Sequence, residues 1–233
     1  MIKRLTLAAA VLSTASLTAT AAPTYEFNAF QPKGGTASGD ILDVYGKYDA
    51  SSQQLSFKST INQKRNNLAD GFWLVLSDGP NPKNHVDEYA IFYGDGKTGR
   101  LTSYVYSGRN SANSYKSEQL LASFNNALNV ETSANGEQRT FSFTNLDISG
   151  INNYLDTEDW DGAAFGEKVG VWFHPTVLGQ TAYSEDGALT QFEASRSSWY
   201  DVGNVETVPE PAGLALLAGT LGLLAAARRK NKA

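Results

Sequence analysis

Residues 71–78 read GFWLVLSD. Side chains along a strand point alternately to its two faces. At that period Phe72, Leu74 and Leu76 share one face, and Trp73 and Val75 share the other. Both faces are apolar. The stretch is therefore expected to be a central strand, buried on both sides.

The same period extends outward in both directions. Residues 88–94, EYAIFYG, repeat the pattern, and residues 101–107 set Leu101, Ser103 and Val105 against Thr102, Tyr104 and Tyr106. Residues 140–146 put Phe141 and Phe143 inward with Ser142 and Thr144 outward, and residues 168–174, KVGVWFH, form another rich run. Weaker strands are expected over 25–30, 41–48, 55–61, 129–132 and 198–202. Turn residues separate these runs at Gly34-Gly35, Asp78-Gly79-Pro80, Gly94-Asp95-Gly96, Asn135-Gly136 and Asp186-Gly187. Asn135-Gly136 predicts a hairpin. Short helices are expected only over 118–124 and 148–154. Many short strands at regular spacing predict an all-β domain, an antiparallel β-sandwich of lectin or jelly-roll type.

Composition narrows the chemistry. The 233 residues are 41% hydrophobic and 18% charged, below the roughly 25% charge of an average domain. The polarity comes from Ser, Asn, Thr and Gly. Cysteine is absent, which excludes disulfides, thiolate metal sites and thiol nucleophiles. His85 and His174 are the only histidines, too few for a polyhistidine zinc centre. No GxSxG elbow, HExxH, P-loop or ExDxxE strand motif occurs. No catalytic residue is assigned.

The two ends carry addresses. Residues 1–22 read as a secretory signal peptide: Lys3 and Arg4, then an apolar stretch over 5–17, then Ala19-Thr20-Ala21 as a small-x-small cleavage pattern. The favoured cut is Ala21–Ala22, because cutting after Ala22 would place Pro23 in the peptidase cleft. At the other end, Val208-Pro209-Glu210-Pro211 precedes a 16-residue apolar run over 212–227. As a helix that run is about 24 Å long at 1.5 Å per residue. Counted from Pro211, with snorkelling side chains at its end, it spans a bilayer. Arg228, Arg229 and Lys230 follow, with Lys232, and hold that end in the cytoplasm.

Residues 23–207 remain as the exported domain. The ends remove Lys3, Arg4, Arg228, Arg229, Lys230 and Lys232 but only one acid, Glu210. The chain's net charge of −5 thus becomes about −10 in the domain. A field of that sign repels nucleic acid and anionic lipid. It also repels acidic polysaccharide unless a divalent cation bridges the two.

Two loops hold candidate site residues. Asp156, Glu158, Asp159 and Asp161 crowd carboxylates that suit Ca²⁺, although Lys168 occupies the position where an EF-hand needs its bidentate Glu. Glu158 with Asp161 is also a formal carboxylate pair for glycoside cleavage. Residues 78–96 form a long polar connection. Asp78, Asn81 and Asn84, with Trp73, Tyr93 and Asp95, supply the planar polar groups and aromatic plate that a sugar site needs.

The tail resembles the PEP-CTERM sorting signal of Gram-negative bacteria: a Pro-Glu-Pro motif, one hydrophobic helix and an Arg-rich end, here over residues 208–233. The resemblance implies processing by exosortase at or near Pro209-Glu210-Pro211, with loss of the helix and the basic end. The segments DGFWLVLSDGPNPK, EYAIFYGDG and FGEKVGVWFHP resemble exported proteins carrying that tail and bring no catalytic residues with them. The expectation is an inner-membrane precursor, handled by signal peptidase and exosortase, that becomes a non-catalytic surface or extracellular-matrix protein. Exopolysaccharide is the expected ligand class, no cofactor is required, and Ca²⁺ is the candidate ion. The alternatives are an extracellular carbohydrate-active hydrolase on the same sandwich and a purely structural surface protein.

Overall fold

The computed structural model describes residues 24–30, 39–77, 89–106, 120–153, 170–194, 200–202 and 206–208. Fourteen strands and one helical turn lie in them. In chain order these are β1 (Thr24–Phe30), β2 (Asp40–Asp49), β3 (Gln54–Asn62), β4 (Gly71–Ser77), β5 (Tyr89–Asp95), β6 (Arg100–Tyr106) and β7 (Leu120–Phe124). They continue as β8 (Asn129–Thr132), β9 (Gln138–Asp147), α1 (Ser149–Asn152), β10 (Gly170–Thr176), β11 (Gln180–Tyr183), β12 (Leu189–Glu193), β13 (Tyr200–Val202) and β14 (Glu206–Val208). The expected signal peptide, terminal span and acidic loop fall outside the described residues. Among the described residues no helix is long and apolar enough to cross a membrane.

The strands form two six-stranded sheets and a ribbon. The first sheet runs β14-β1-β2-β3-β9-β8, the second β13-β10-β4-β5-β6-β7, and β11 pairs with β12 alone. Each described pairing is antiparallel. Apart from the single turn α1 the described elements are all strands, as the period-two pattern predicts.

Period-two alternation sorts the second sheet's side chains into two cores. Phe72, Leu74 and Leu76 of β4, Ala90 and Phe92 of β5, and Val171 and Phe173 of β10 join Val44, Leu55, Phe57, Phe141 and Phe143 of the first sheet in one cluster. Rings bridge the sheets: Phe57 lies 5.3 Å from Phe72 and 5.5 Å from Phe173, and Phe72 lies 5.4 Å from Phe141, between centroids. The alternate residues Trp73, Val75, Ile91, Tyr93, Tyr104 and Trp172 form a second cluster with Leu189 of β12. The β11–β12 ribbon covers that face, which is why β4 is apolar on both sides.

Gly46 shows how closely the first sheet packs. A Cβ there would come within 2.1 Å of two atoms of the Phe27 ring, and that ring is buried. Gly46→Ala is expected to destabilise by about 1–3 kcal/mol through overpacking, read as a lower midpoint in urea with an unchanged slope.

One sequence expectation changes, and two others gain detail. Residues 120–124 are strand β7, not helix: Leu101 pairs with Phe124 and Thr102 with Ser123, so ladder bonds to β6 override the local helix propensity. The Asn135-Gly136 hairpin joins β8 to β9 as expected, in a tight turn closed by Gly136 N–H on Ser133 O at 2.8 Å, with Gly136 at φ +73° where a side chain would be strained. Val208, the first residue of the tail motif, is also the last residue of β14.

Candidate functional site

The end of the second sheet where β4 begins and β5 finishes gathers polar residues beneath the ribbon. Asp95, the last residue of β5, is 1% exposed. Its Oδ1 accepts the backbone N–H of Lys97 at 2.9 Å and of Thr98 at 3.4 Å, the local bonds of an Asx turn. Its Oδ2 accepts the hydroxyls of Thr181 at 3.1 Å and Tyr183 at 2.8 Å, both on β11. One carboxylate thus forms the β5–β6 turn and ties the ribbon to it.

Asp70, just before β4, makes the second tie. Its Oδ2 accepts the Gly179 N–H at 2.8 Å and lies 3.2 Å from Lys97 Nζ. Lys97 Nζ also donates to the Gly179 carbonyl. The Lys97 side chain is 55% exposed, so solvent screening keeps the ion pair weak. Asp70 Oδ1 is buried without a hydrogen-bond partner. Further along, Tyr104 Oη accepts the Leu189 N–H at 2.8 Å, and the Arg100 guanidinium sits 4.5 Å from the Tyr183 ring centroid.

Burial, reinforced by the Asp95 carboxylate, pushes the Tyr93 and Tyr183 hydroxyls far up. Both remain neutral donors, which is the state that the Tyr183–Asp95 bond needs.

Trp73, Tyr93 and Asp95 do come together, as an interior layer. Trp73 is 6% and Tyr93 2% exposed. Their ring centroids are 4.7 Å apart, and Phe192 of β12 meets both, at 5.2 Å from Trp73 and 5.1 Å from Tyr93. The aromatic plate faces the ribbon. Asp78, Asn81 and Asn84 lie outside the described residues, as do Asp156, Glu158, Asp159 and Asp161. Of the sorting motif only Val208 is described; Pro209, Glu210, Pro211, Arg228, Arg229 and Lys230 are outside. Among the described residues no group of three or more His, Asp or Glu could hold a metal ion.

The outward side of the first sheet is polar. Leu55, Phe57 and Ile61 turn inward, leaving Gln54, Ser56, Lys58 and Thr60 outward. Register places Tyr45, Lys58 and Ser142 in one row across three strands. In the next outward row Thr60 and Thr140 share a hydroxyl hydrogen bond of 3.1 Å. Burial and then the Glu26 carboxylate push the Tyr45 hydroxyl up. Hydroxyls beside one ring and one ammonium can hydrogen-bond and stack on a sugar.

The ribbon's polar ties are absent from the sequence expectations. Asp186-Gly187 marks its turn, yet residues 180–183 and 189–193 carry only Leu189 and Phe192 as strong apolar positions. Asp70 is followed directly by the decisive strand and reads as a turn residue.

His174 of β10 pairs in register with Trp73. Burial lowers its pKa to about 4 from 6.5. Below pH 6.5 the unfolded chain takes up a proton that the folded chain refuses. Stability therefore falls as the pH drops from about 6.5 to about 4, by an amount on the order of 3 kcal/mol. Urea unfolding of wild type and His174→Gln across that window isolates the effect: the variant is expected to lose this part of the slope.

No protein-family model, no curated protein and no solved structure matches the chain.

Proposed function

We propose that the chain is an exported surface or extracellular-matrix protein without catalytic activity, processed by exosortase at Pro209-Glu210-Pro211. The tail carries this reading: a Pro-Glu-Pro motif, an apolar run over 212–227 and the basic Arg228-Arg229-Lys230, in that order. Such a tail holds the precursor in the inner membrane with its acidic domain outside. The two six-stranded sheets are read as the layers of a β-sandwich, on the support of the phenylalanine rings that bridge them. The engagement of Asp95 in four hydrogen bonds supports a holding role for that acid.

The exopolysaccharide contact is assigned to two neighbouring outward rows of the first sheet, with Tyr45 as the stacking ring and Lys58, Thr60 and Thr140 as polar partners. Lys58 suits an acidic glycan locally, against the unfavourable field of the whole domain.

Deleting exosortase in the native host is expected to leave the protein in the inner-membrane fraction, and restoring the gene to return it to the surface. Equal release with and without exosortase would refute the processing. In gels containing the host's exopolysaccharide the domain is expected to be retarded, and Tyr45→Ala to move faster than wild type. Equal mobility with and without polysaccharide would leave the structural-protein reading.

A further inference from the structure

The register of the first sheet's edge joins the two ends of the exported domain. Thr24 pairs with Val208, Tyr25 with Thr207 and Glu26 with Glu206. Partners across an antiparallel pair are about 4.5–5.5 Å apart between Cα atoms. Thr24 follows Pro23, two residues after the expected signal-peptide cut at Ala21–Ala22. Val208 directly precedes Pro209. The strand that follows the first expected processing junction and the strand that precedes the second are therefore neighbours at one sheet edge.

We propose that β14 is a releasable closing strand: exosortase removes the tail only while the β1–β14 ladder is open, so closure of this sheet edge and removal of the tail compete for the same residues. The proposal rests on the exosortase reading above. An enzyme that cuts a peptide holds several residues around the scissile bond extended, often through backbone N–H and C=O groups. In the closed sheet residues 206–208 give β1 the backbone groups on one side of the strand, and the sheet itself closes that side to any other partner. With a single peptide bond between Val208 and Pro209, a cleft that encloses the chain from both sides needs that side of the strand free.

The ladder is built to open. β14 has three residues and lies at the edge, with β1 as its neighbour. Its three register pairs compare with seven between β1 and β2 and nine between β2 and β3. Glu26 of β1 takes its ion-pair partner from β2, Lys47 at 3.6 Å. Pro209 and Pro211 have no N–H with which to lengthen the ladder.

A disulfide lock tests this in the full chain, expressed in its exosortase-containing host. The chain has no cysteine, so Glu26→Cys with Glu206→Cys introduces a lone pair of thiols, at a Cα spacing that suits a disulfide. The position lies three residues from Pro209 and leaves the motif intact. Oxidised precursor, identified on non-reducing gels, is expected to keep its tail at least tenfold longer than either single variant. Adding a membrane-permeant thiol is expected to restore the single-variant rate, which also shows that the double variant folds and is recognised. Removal of the tail from the locked form at the single-variant rate would overturn the closing-strand proposal while leaving exosortase processing intact. A wild-type chain that keeps its tail in that host would overturn both.

Discussion

Asp95→Ala is expected to destabilise the domain by about 3–5 kcal/mol and to lower its melting temperature by roughly 10 °C. The carboxylate is buried and accepts four hydrogen bonds. Removing it strands the hydroxyls of Thr181 and Tyr183 under the ribbon and opens the Asx turn at Lys97. Asp95→Asn keeps the size and one oxygen, and the two hydroxyls can rotate to accept from its amide, so about half the loss is expected. A double-mutant cycle with Tyr183→Phe separates the ribbon tie from the turn. A coupling of 1 kcal/mol or more is expected. Additive losses would mean that the ribbon is held by its apolar contacts alone.

Phe72→Ala is expected to cost about 3–5 kcal/mol. The ring is fully buried and lies 5.3–5.5 Å from Phe57, Phe141 and Phe173, so it belongs to both sheets at once. Its edge also occupies the space over Gly94, where a Cβ would come within 2.4 Å. Phe192→Ala, in the partly buried ribbon, is expected to cost about half as much. Denaturant unfolding of the two variants ranks them. A larger loss for Phe192 would place the centre of stability under the ribbon rather than between the sheets.

The core strands are legible because their alternation is strong. Phe72, Leu74 and Leu76 against Trp73 and Val75 already separates the two cores that β4 serves. The acids where β4 begins and β5 ends are less legible. Asp95 reads as a turn residue and a sugar contact, and its partners Thr181 and Tyr183 come from a segment 86 to 88 residues away that sequence periodicity leaves blank. Local pattern cannot carry a bond at that separation. Residues 118–124 fail for a related reason: Leu120, Leu121 and Phe124 suit a helix face by themselves, and the free edge of β6 turns them into a strand. β14 is short, polar and next to prolines, so nothing local signals it. Its pairing with Thr24–Glu26 is a property of the closed sheet.

The most direct test of the account is the intact mass of the mature protein, recovered from the surface or medium of its exosortase-containing host. The account predicts a chain that begins at Ala22 or Pro23 and ends at or near Pro209-Glu210-Pro211, with the apolar run and the basic end gone. A mass that retains Arg228 to Ala233 would contradict it.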